Sequence, residues 1–149
     1  MSLNKQDSSA IINFVKNHIG QHDKLIELFG MNIEKVEPGM AQVSMTVTDK
    51  HLNAASLCHG GAIFALADVA FALAGNSHGV MALALEVSIN YLRPAKKGEQ
   101  LRARAREESL GKRTGLYIVE VTNQEEKKVA FFKATAYRLE QHFPIKGVS

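Results

Sequence analysis

The apolar positions of the chain follow two different periods, which separate helical from extended segments. Apolar side chains recur at helical spacing in residues 11–19 and again in residues 25–29. We predict two short helices here: the first begins at an N-cap among Asp7, Ser8 and Ser9 and ends at Gly20, and the second is closed by Gly30.

The stretch from His59 to Gly79 stands out because its residues 62–75 are apolar on every side of a helix apart from a single aspartate, Asp68. A helix that is apolar all round is a buried helix, so we predict a long central helix from Gly60 to Ser77 that the rest of the chain covers. Burying an unpaired charge costs several kcal/mol even after the surroundings relax. We therefore expect Asp68 to have a function.

The other segments alternate with the period of two that is typical of strands. Before the helix, residues 31–36 and 43–48 predict two strands; after it, residues 87–91, 101–106, 116–121 and 129–139 predict four antiparallel strands. Each strand has one face to bury, which a curved sheet around the helix satisfies. We predict an α+β fold with a helical segment in residues 1–30, a domain in residues 31–140 whose antiparallel sheet has five to six strands, and a loose tail in residues 141–149.

Composition narrows the possible partners and locations. The net charge of +3 is compatible with an anionic small ligand but too weak to indicate nucleic acid. One cysteine, Cys58, excludes an intramolecular disulfide, and no apolar run is long enough for a membrane span. We expect a cytoplasmic protein, and we expect at least a homodimer because a sheet of this size leaves one side of the helix open.

The start of the central helix has the features of an oxyanion-binding site. Gly60 and Gly61 lie in or near its first turn, where unpaired N–H groups and the helix dipole favour an incoming oxygen. Asp68 lies on the same face as Gly61 but about 10 Å further along the axis. Two antiparallel copies in a dimer would bring Asp68 of one chain opposite Gly61 of the other.

Several motifs in residues 31–139 resemble those of the PaaI-type hotdog-fold acyl-CoA thioesterases. They are Asn53, His59-Gly60-Gly61, Asp68 in Leu-Ala-Asp, Asn76-Ser77-His78-Gly79 and Tyr91-Leu92-Arg93-Pro94-Ala95. The resemblance implies a hotdog fold, dimers that pair into tetramers, active sites at the dimer interface, and hydrolysis of acyl-CoA to free acid and CoA without a further cofactor. The run Ala-Gly-Asn-Ser-His-Gly at residues 74–79 resembles the phenylacetate-pathway members most, which favours aromatic acyl groups.

The resemblance also implies a role for each matching residue. Asp68 would be the nucleophile or the general base, the Gly61 N–H would polarise the carbonyl, Asn53 would hold the nucleophile or thioester, and His59 would set the turn. The implied CoA contacts are Gly60, Tyr91, Arg93, Pro94, Lys96, Gly111, Lys112, Arg113 and Thr114. Some relatives carry a hydroxyl near the position of Ala84, which alanine cannot supply.

Other interpretations of these residues stay open at this stage. Asp68 could form a buried ion pair, the two glycines could serve only a tight turn, and Arg102, Arg104 and Arg106 are read as a solvated face rather than a phosphate guide. Cys58 is disfavoured as a nucleophile, and the histidines lack metal-ligand spacing. The chain could also be a non-catalytic acyl-CoA-binding module, or a dehydratase if an Asp-His pair exists.

Overall fold

The described residues form three helices, one short 3-10 turn and six strands. A computed structural model describes residues 4–148; residues 1–3 of the predicted helical segment and residue 149 of the predicted tail lie outside this range. The elements are α1 (Lys5–His22), α2 (Lys24–Phe29), β1 (Asn32–Glu37), β2 (Met40–Thr46), the 3-10 turn Asp49–His51, α3 (Gly60–Asn76), β3 (Val80–Tyr91), β4 (Gln100–Leu110), β5 (Thr114–Thr122) and β6 (Lys128–His142).

The sheet is antiparallel throughout and packs against α3. Its six strands lie in the order β1-β2-β4-β5-β6-β3, so β1 and β3 form its edges. α3 contacts β2, β3, β4 and β5, and its central residues Leu66 and Leu73 are fully buried. The predicted α+β fold with a long apolar helix from Gly60 is confirmed. No helix in the described part of the chain has the length and apolarity needed to span a membrane.

The first helix differs from its predicted bounds at both ends, whereas α2 is closed by Gly30 as predicted. The N-cap of α1 is Asn4, whose side-chain oxygen accepts the Asp7 N–H at 2.8 Å, so the predicted N-cap at residues 7–9 is wrong. α1 also continues past Gly20 to His22. Asp23 connects the two helices, because its N–H closes α1 on the Ile19 carbonyl and its carboxylate accepts the Leu25 N–H of α2.

Strand β3 is longer than its sequence pattern predicted. It begins at Val80 rather than near Val87, and pairs with β6 with register shifts between Val80 and Ala82 and between Ala84 and Glu86. These shifts break the alternation by which a strand is recognised. As an edge strand, β3 leaves Leu83 and Leu85 each 63% exposed.

The C-terminal tail is shorter than predicted and starts from an anchored residue. β6 continues through Gln141 to His142. Phe143 donates its N–H to the Gly79 carbonyl at 3.0 Å, and its ring lies 5.7 Å from that of Phe14 on α1. The turn after α3, the first helix and the start of the tail therefore pack together at one end of the molecule.

Candidate active site

His59 caps the start of α3 and fixes its first turn. Its Nδ1 accepts the Gly61 N–H at 2.9 Å, and its own N–H donates to the His51 carbonyl at 2.7 Å. His51 is in turn buried, with Nδ1 accepting the Thr48 N–H. This arrangement has the geometry that a turn-setting role for His59 requires.

The amide that a ligand can reach at this helix start is that of Gly60. The Gly61 N–H already donates to His59, so the expectation that Gly61 presents a free N–H to a carbonyl does not fit the structure. Ala62 and Ile63 both donate to the His59 carbonyl. Within residues 4–148 the Gly60 N–H has no hydrogen-bond partner, which leaves it as the available donor at the positive end of α3.

Two aromatic rings explain why both positions are glycine. A Cβ on Gly60 would lie 3.0 Å from the Tyr91 Cζ, and one on Gly61 would lie 3.1 Å from the His59 Nδ1. The Tyr91 hydroxyl donates to the Gly60 carbonyl at 2.8 Å. The glycines therefore serve the local packing, while the same packing keeps the Gly60 N–H clear.

Asn53 shapes the loop before α3 with one end of its amide. Its side-chain oxygen accepts the N–H groups of Ala55 at 2.9 Å and Leu57 at 3.1 Å. Among the described residues, its side-chain nitrogen donates to no protein group. Asn53 thus offers a second N–H donor close to the Gly60 amide.

These donors open into a cavity of about 380 Å³ at the N-terminal end of α3. The cavity is lined by apolar groups and a few polar ones: Asn53, Leu57, Cys58, Gly60, Ile63, Tyr91, Leu92, Arg93 and Pro94. A mostly apolar cleft with a small number of convergent donors is typical of a ligand site. It unites the predicted residues Asn53, Gly60, Tyr91, Arg93 and Pro94, whereas Lys96 lies outside it, in the turn that follows.

Asp68 is half-buried on α3 and forms no ion pair or hydrogen bond within residues 4–148. Burial raises the pKa of its carboxyl, and the negative charge of Asp23 raises the pKa further. The interpretation of Asp68 as one half of a structural ion pair therefore does not hold in the described part of the chain. Asp68 does not line the cavity at Gly60, so one protomer alone does not bring the acid and the donors together.

The remaining predicted CoA contacts lie at the other end of β3. Lys112 and Arg113 line a cavity of about 540 Å³ together with Val80, the first residue of β3, whereas Tyr91 at the far end of β3 lines the cavity at Gly60. A strand of this length spans about 36 Å. Gly111 and Thr114 form the turn that carries Lys112 and Arg113, closed by a Gly111 N–H to Thr114 carbonyl bond of 2.8 Å.

The second cavity contains two basic residues that the sequence did not suggest, Arg138 and His142 of β6. Their spacing in a long strand carries no signal of its own. The arginines that did stand out, on β4, are each held by a glutamate: Arg102 by Glu34, Arg104 by Glu126, and Arg106 by Glu108. This pairing fits their interpretation as a solvated strand face.

The cavity at Gly60 also contains the thiol of Cys58. Cys58 is buried, and burial raises its pKa to about 11, which keeps the thiol protonated and a poor nucleophile. Across residues 4–148, no three histidine, cysteine or acidic side chains are grouped as metal ligands.

Comparisons with known proteins agree with this architecture. The sequence model of the thioesterase superfamily matches residues 55–130. A putative esterase of Archaeoglobus fulgidus is 49% identical over 91% of this chain and 88% of its own. The acyl-coenzyme A thioesterase PaaI of Escherichia coli is 42% identical over 80% of this chain and 85% of its own.

Solved structures show the same fold. The E. coli PaaI structure superimposes with a TM-score of 0.87 at 38% identity, over 91% of this chain and 97% of that one. A Streptococcus mutans protein bound to acetyl-CoA superimposes with a TM-score of 0.73 at 34% identity, over 76% and 91% of the two chains. The chain therefore belongs to the thioesterase superfamily, as a PaaI-type hotdog thioesterase.

Proposed function

We propose that the protein hydrolyses acyl-CoA thioesters to the free acid and CoA, at active sites shared between two protomers. The observation that carries this proposal is the half-buried carboxylate of Asp68, which has no partner among the described residues and lies on an otherwise apolar stretch of helix. A protein that only binds acyl-CoA has no use for such a costly group. The E. coli relative is named an acyl-CoA thioesterase, and the S. mutans relative binds acetyl-CoA, which supports the same substrate class.

The exposed edge of the sheet supports the proposal of a shared site. β3 is an edge strand with two exposed leucines, Leu83 and Leu85, and unpaired edges of this kind favour strand pairing with another chain. A two-fold axis would pair β3 with the partner's β3 in antiparallel orientation. The Val80 end of one protomer would then lie beside the Tyr91 end of the other.

This pairing would bring together the donors and the carboxylate that lie apart in one protomer. The donors Gly60 and Asn53 of one subunit would face the central part of the second subunit's α3, where the carboxylate stands. The Lys112 and Arg113 turn of the second subunit would approach the cavity that contains Arg93. We assign the phosphate groups of CoA to these cations, and the pantetheine arm to the cleft beside Tyr91 and Pro94.

The reaction needs one carboxylate, one water and two N–H donors. The Gly60 N–H and the Asn53 amide would hold the thioester oxygen, so that negative charge developing on it is stabilised. Asp68 would take a proton from water, whose oxygen attacks the carbonyl carbon; the C–S bond then breaks, and the CoA thiolate takes up a proton. Attack by the carboxylate itself, through an anhydride that water then opens, uses the same residues. Neither route requires a cofactor.

The acyl group of the substrate and the quaternary structure are proposed on separate grounds. Leu57, Ile63 and Leu92 give the cavity an apolar wall, and the E. coli relative comes from a phenylacetic acid degradation operon, so we propose aromatic acyl groups such as phenylacetyl. We further propose that dimers pair into tetramers and that the enzyme works in the cytoplasm.

The first prediction concerns activity. Replacing Asp68 with Asn keeps the size of the side chain but removes the base, so kcat for thiol release from phenylacetyl-CoA should fall at least about a hundredfold. Asp49→Asn is the matched control, because Asp49 is an exposed aspartate paired with Lys97, and it should keep wild-type activity. Equal activity of the Asp68→Asn and wild-type proteins would reject the proposed function.

The same variant should be more stable than the wild type at neutral pH. Because the folded-state pKa of Asp68 is raised by burial and by Asp23, the folded protein holds this proton more tightly than the unfolded chain does. Ionisation therefore lowers the free energy of unfolding as the pH rises through the folded-state pKa. Asparagine has no such cost.

Thermal unfolding over a pH series tests this expectation. Asp68→Asn should have a higher Tm than wild type at pH 7, and the difference should vanish below the ordinary aspartate pKa of about 4. A variant that is less stable than wild type at pH 7 would show that the carboxylate makes a stabilising contact instead.

A further prediction concerns the charge of Asp23. Asn caps a helix as well as Asp does, so Asp23→Asn should preserve α2 while removing the charge that raises the pKa of Asp68. The acid limb of the kcat/KM profile should move to lower pH. Glu27→Gln, which neutralises another carboxylate of α2, should leave the limb in place; an unmoved limb in Asp23→Asn would contradict the prediction.

A further inference from the structure

Within residues 4–148, the cavity beside Val80 is lined by cations that form no ion pair. Lys112, Arg113 and Arg138 line it, and none of them forms an ion pair within residues 4–148. The arginines of β4, by contrast, all contact glutamates. Glu140 is the acidic residue in the lining. Three cations against one carboxylate leave the lining with an excess of positive charge, which indicates a site for an anionic group.

Arg138 also holds the backbone of the turn that carries the other two cations. Its guanidinium donates from Nη1 to the Gly111 carbonyl at 2.8 Å, and its main-chain N–H donates to the Arg113 carbonyl at 2.7 Å. Arg138 therefore fixes the turn on both sides of Lys112. Its side chain is half-buried, so it is held more firmly than a fully exposed arginine.

A guanidinium suits this double task. It has five N–H donors in a rigid plane, and one contact to Gly111 leaves others for an anion in the cavity that it lines. A lysine could supply the charge, but its single ammonium could not hold the turn and face a phosphate with the same geometry. The turn is also closed by its own bond from the Gly111 N–H to the Thr114 carbonyl, to which the Arg138 guanidinium adds a contact from β6.

We propose that Arg138 is a positioning residue for the substrate: it holds the 111–114 turn so that Lys112 and Arg113 face the phosphate groups at the nucleotide end of CoA. Arg138 is itself the third cation of that site. The inference rests on the proposed acyl-CoA substrate and adds a residue outside the motifs that suggested it.

The test compares two thioesters of the same acid in Arg138→Gln and wild type. With phenylacetyl-CoA, KM should rise about tenfold, the expected effect of losing charge-assisted hydrogen bonds, while kcat changes little. With phenylacetyl-pantetheine, which has no phosphate groups, KM and kcat should match those of the wild type. Arg138→Lys should show a smaller rise in KM for the CoA ester, because it keeps the charge but not the planar contact.

Two further measurements show which part of CoA causes the rise in KM. Arg104→Gln removes an arginine of β4 that is paired with Glu126. It should change KM and kcat for neither substrate. Phenylacetyl-dephospho-CoA lacks the 3′-phosphate. If Arg138→Gln no longer raises the KM for this substrate, the site binds the 3′-phosphate; if it still raises the KM, the site binds the diphosphate.

Failure of the inference is distinguishable from failure of the proposed function. If the wild type hydrolyses phenylacetyl-CoA but Arg138→Gln leaves its KM unchanged, or impairs both thioesters equally, the role of Arg138 is overturned and the activity stands. If the wild type hydrolyses neither thioester nor any other acyl-CoA in a panel, the proposed function itself is wrong.

Discussion

A carboxylate without a partner on an apolar helix is the constraint on which the rest of this structure depends. α3 is the element that the sheet covers, and Asp68 is the acidic residue within it. Water or a counter-ion would lower the free-energy cost of its negative charge. Burial excludes much of the water, and the described residues provide no counter-ion. The raised pKa of Asp68 is the direct expression of that cost, and it also makes the carboxylate a stronger base than an exposed aspartate.

The start of the helix is arranged to receive negative charge rather than to carry it. His59 takes up the Gly61 N–H, and Tyr91 covers the Gly60 carbonyl. These two contacts leave the Gly60 N–H, together with the amide of Asn53, as donors facing a cavity. In the proposed reaction, the acid on the middle part of α3 and the donors at its start would form two halves of one reaction centre. Within a single chain they remain separate, so the proposed chemistry would depend on pairing through the uncovered edge strand β3.

The sequence predicted the parts of this structure that depend on burial. Three features could be recognised from the sequence alone: the apolar run of α3, the single aspartate Asp68 within it, and the glycines at the helix start. Each differs from what the neighbouring residues would lead one to expect. The first half of β3 was missed because register shifts near Ala82 and Glu86 remove the alternation. The engagement of the Gly61 N–H depends on where the His59 ring lies, and the basic cavity depends on Arg138 meeting a turn from another strand. Neither of these contacts can be predicted from the pattern of residues along the sequence.

Subunit complementation tests the shared site most directly. Asn53→Asp keeps the oxygen that shapes its loop but loses the N–H donor, and Asp68→Asn loses the base; each variant alone should be nearly inactive. If donors and base come from different chains, a mixed dimer has one doubly altered site and one intact site. Random mixing of the two unfolded and refolded variants should then restore about a quarter of wild-type activity per subunit. Activity that stays at the level of the separate variants, in mixtures shown to contain mixed dimers, would place both groups in the same chain and contradict the account.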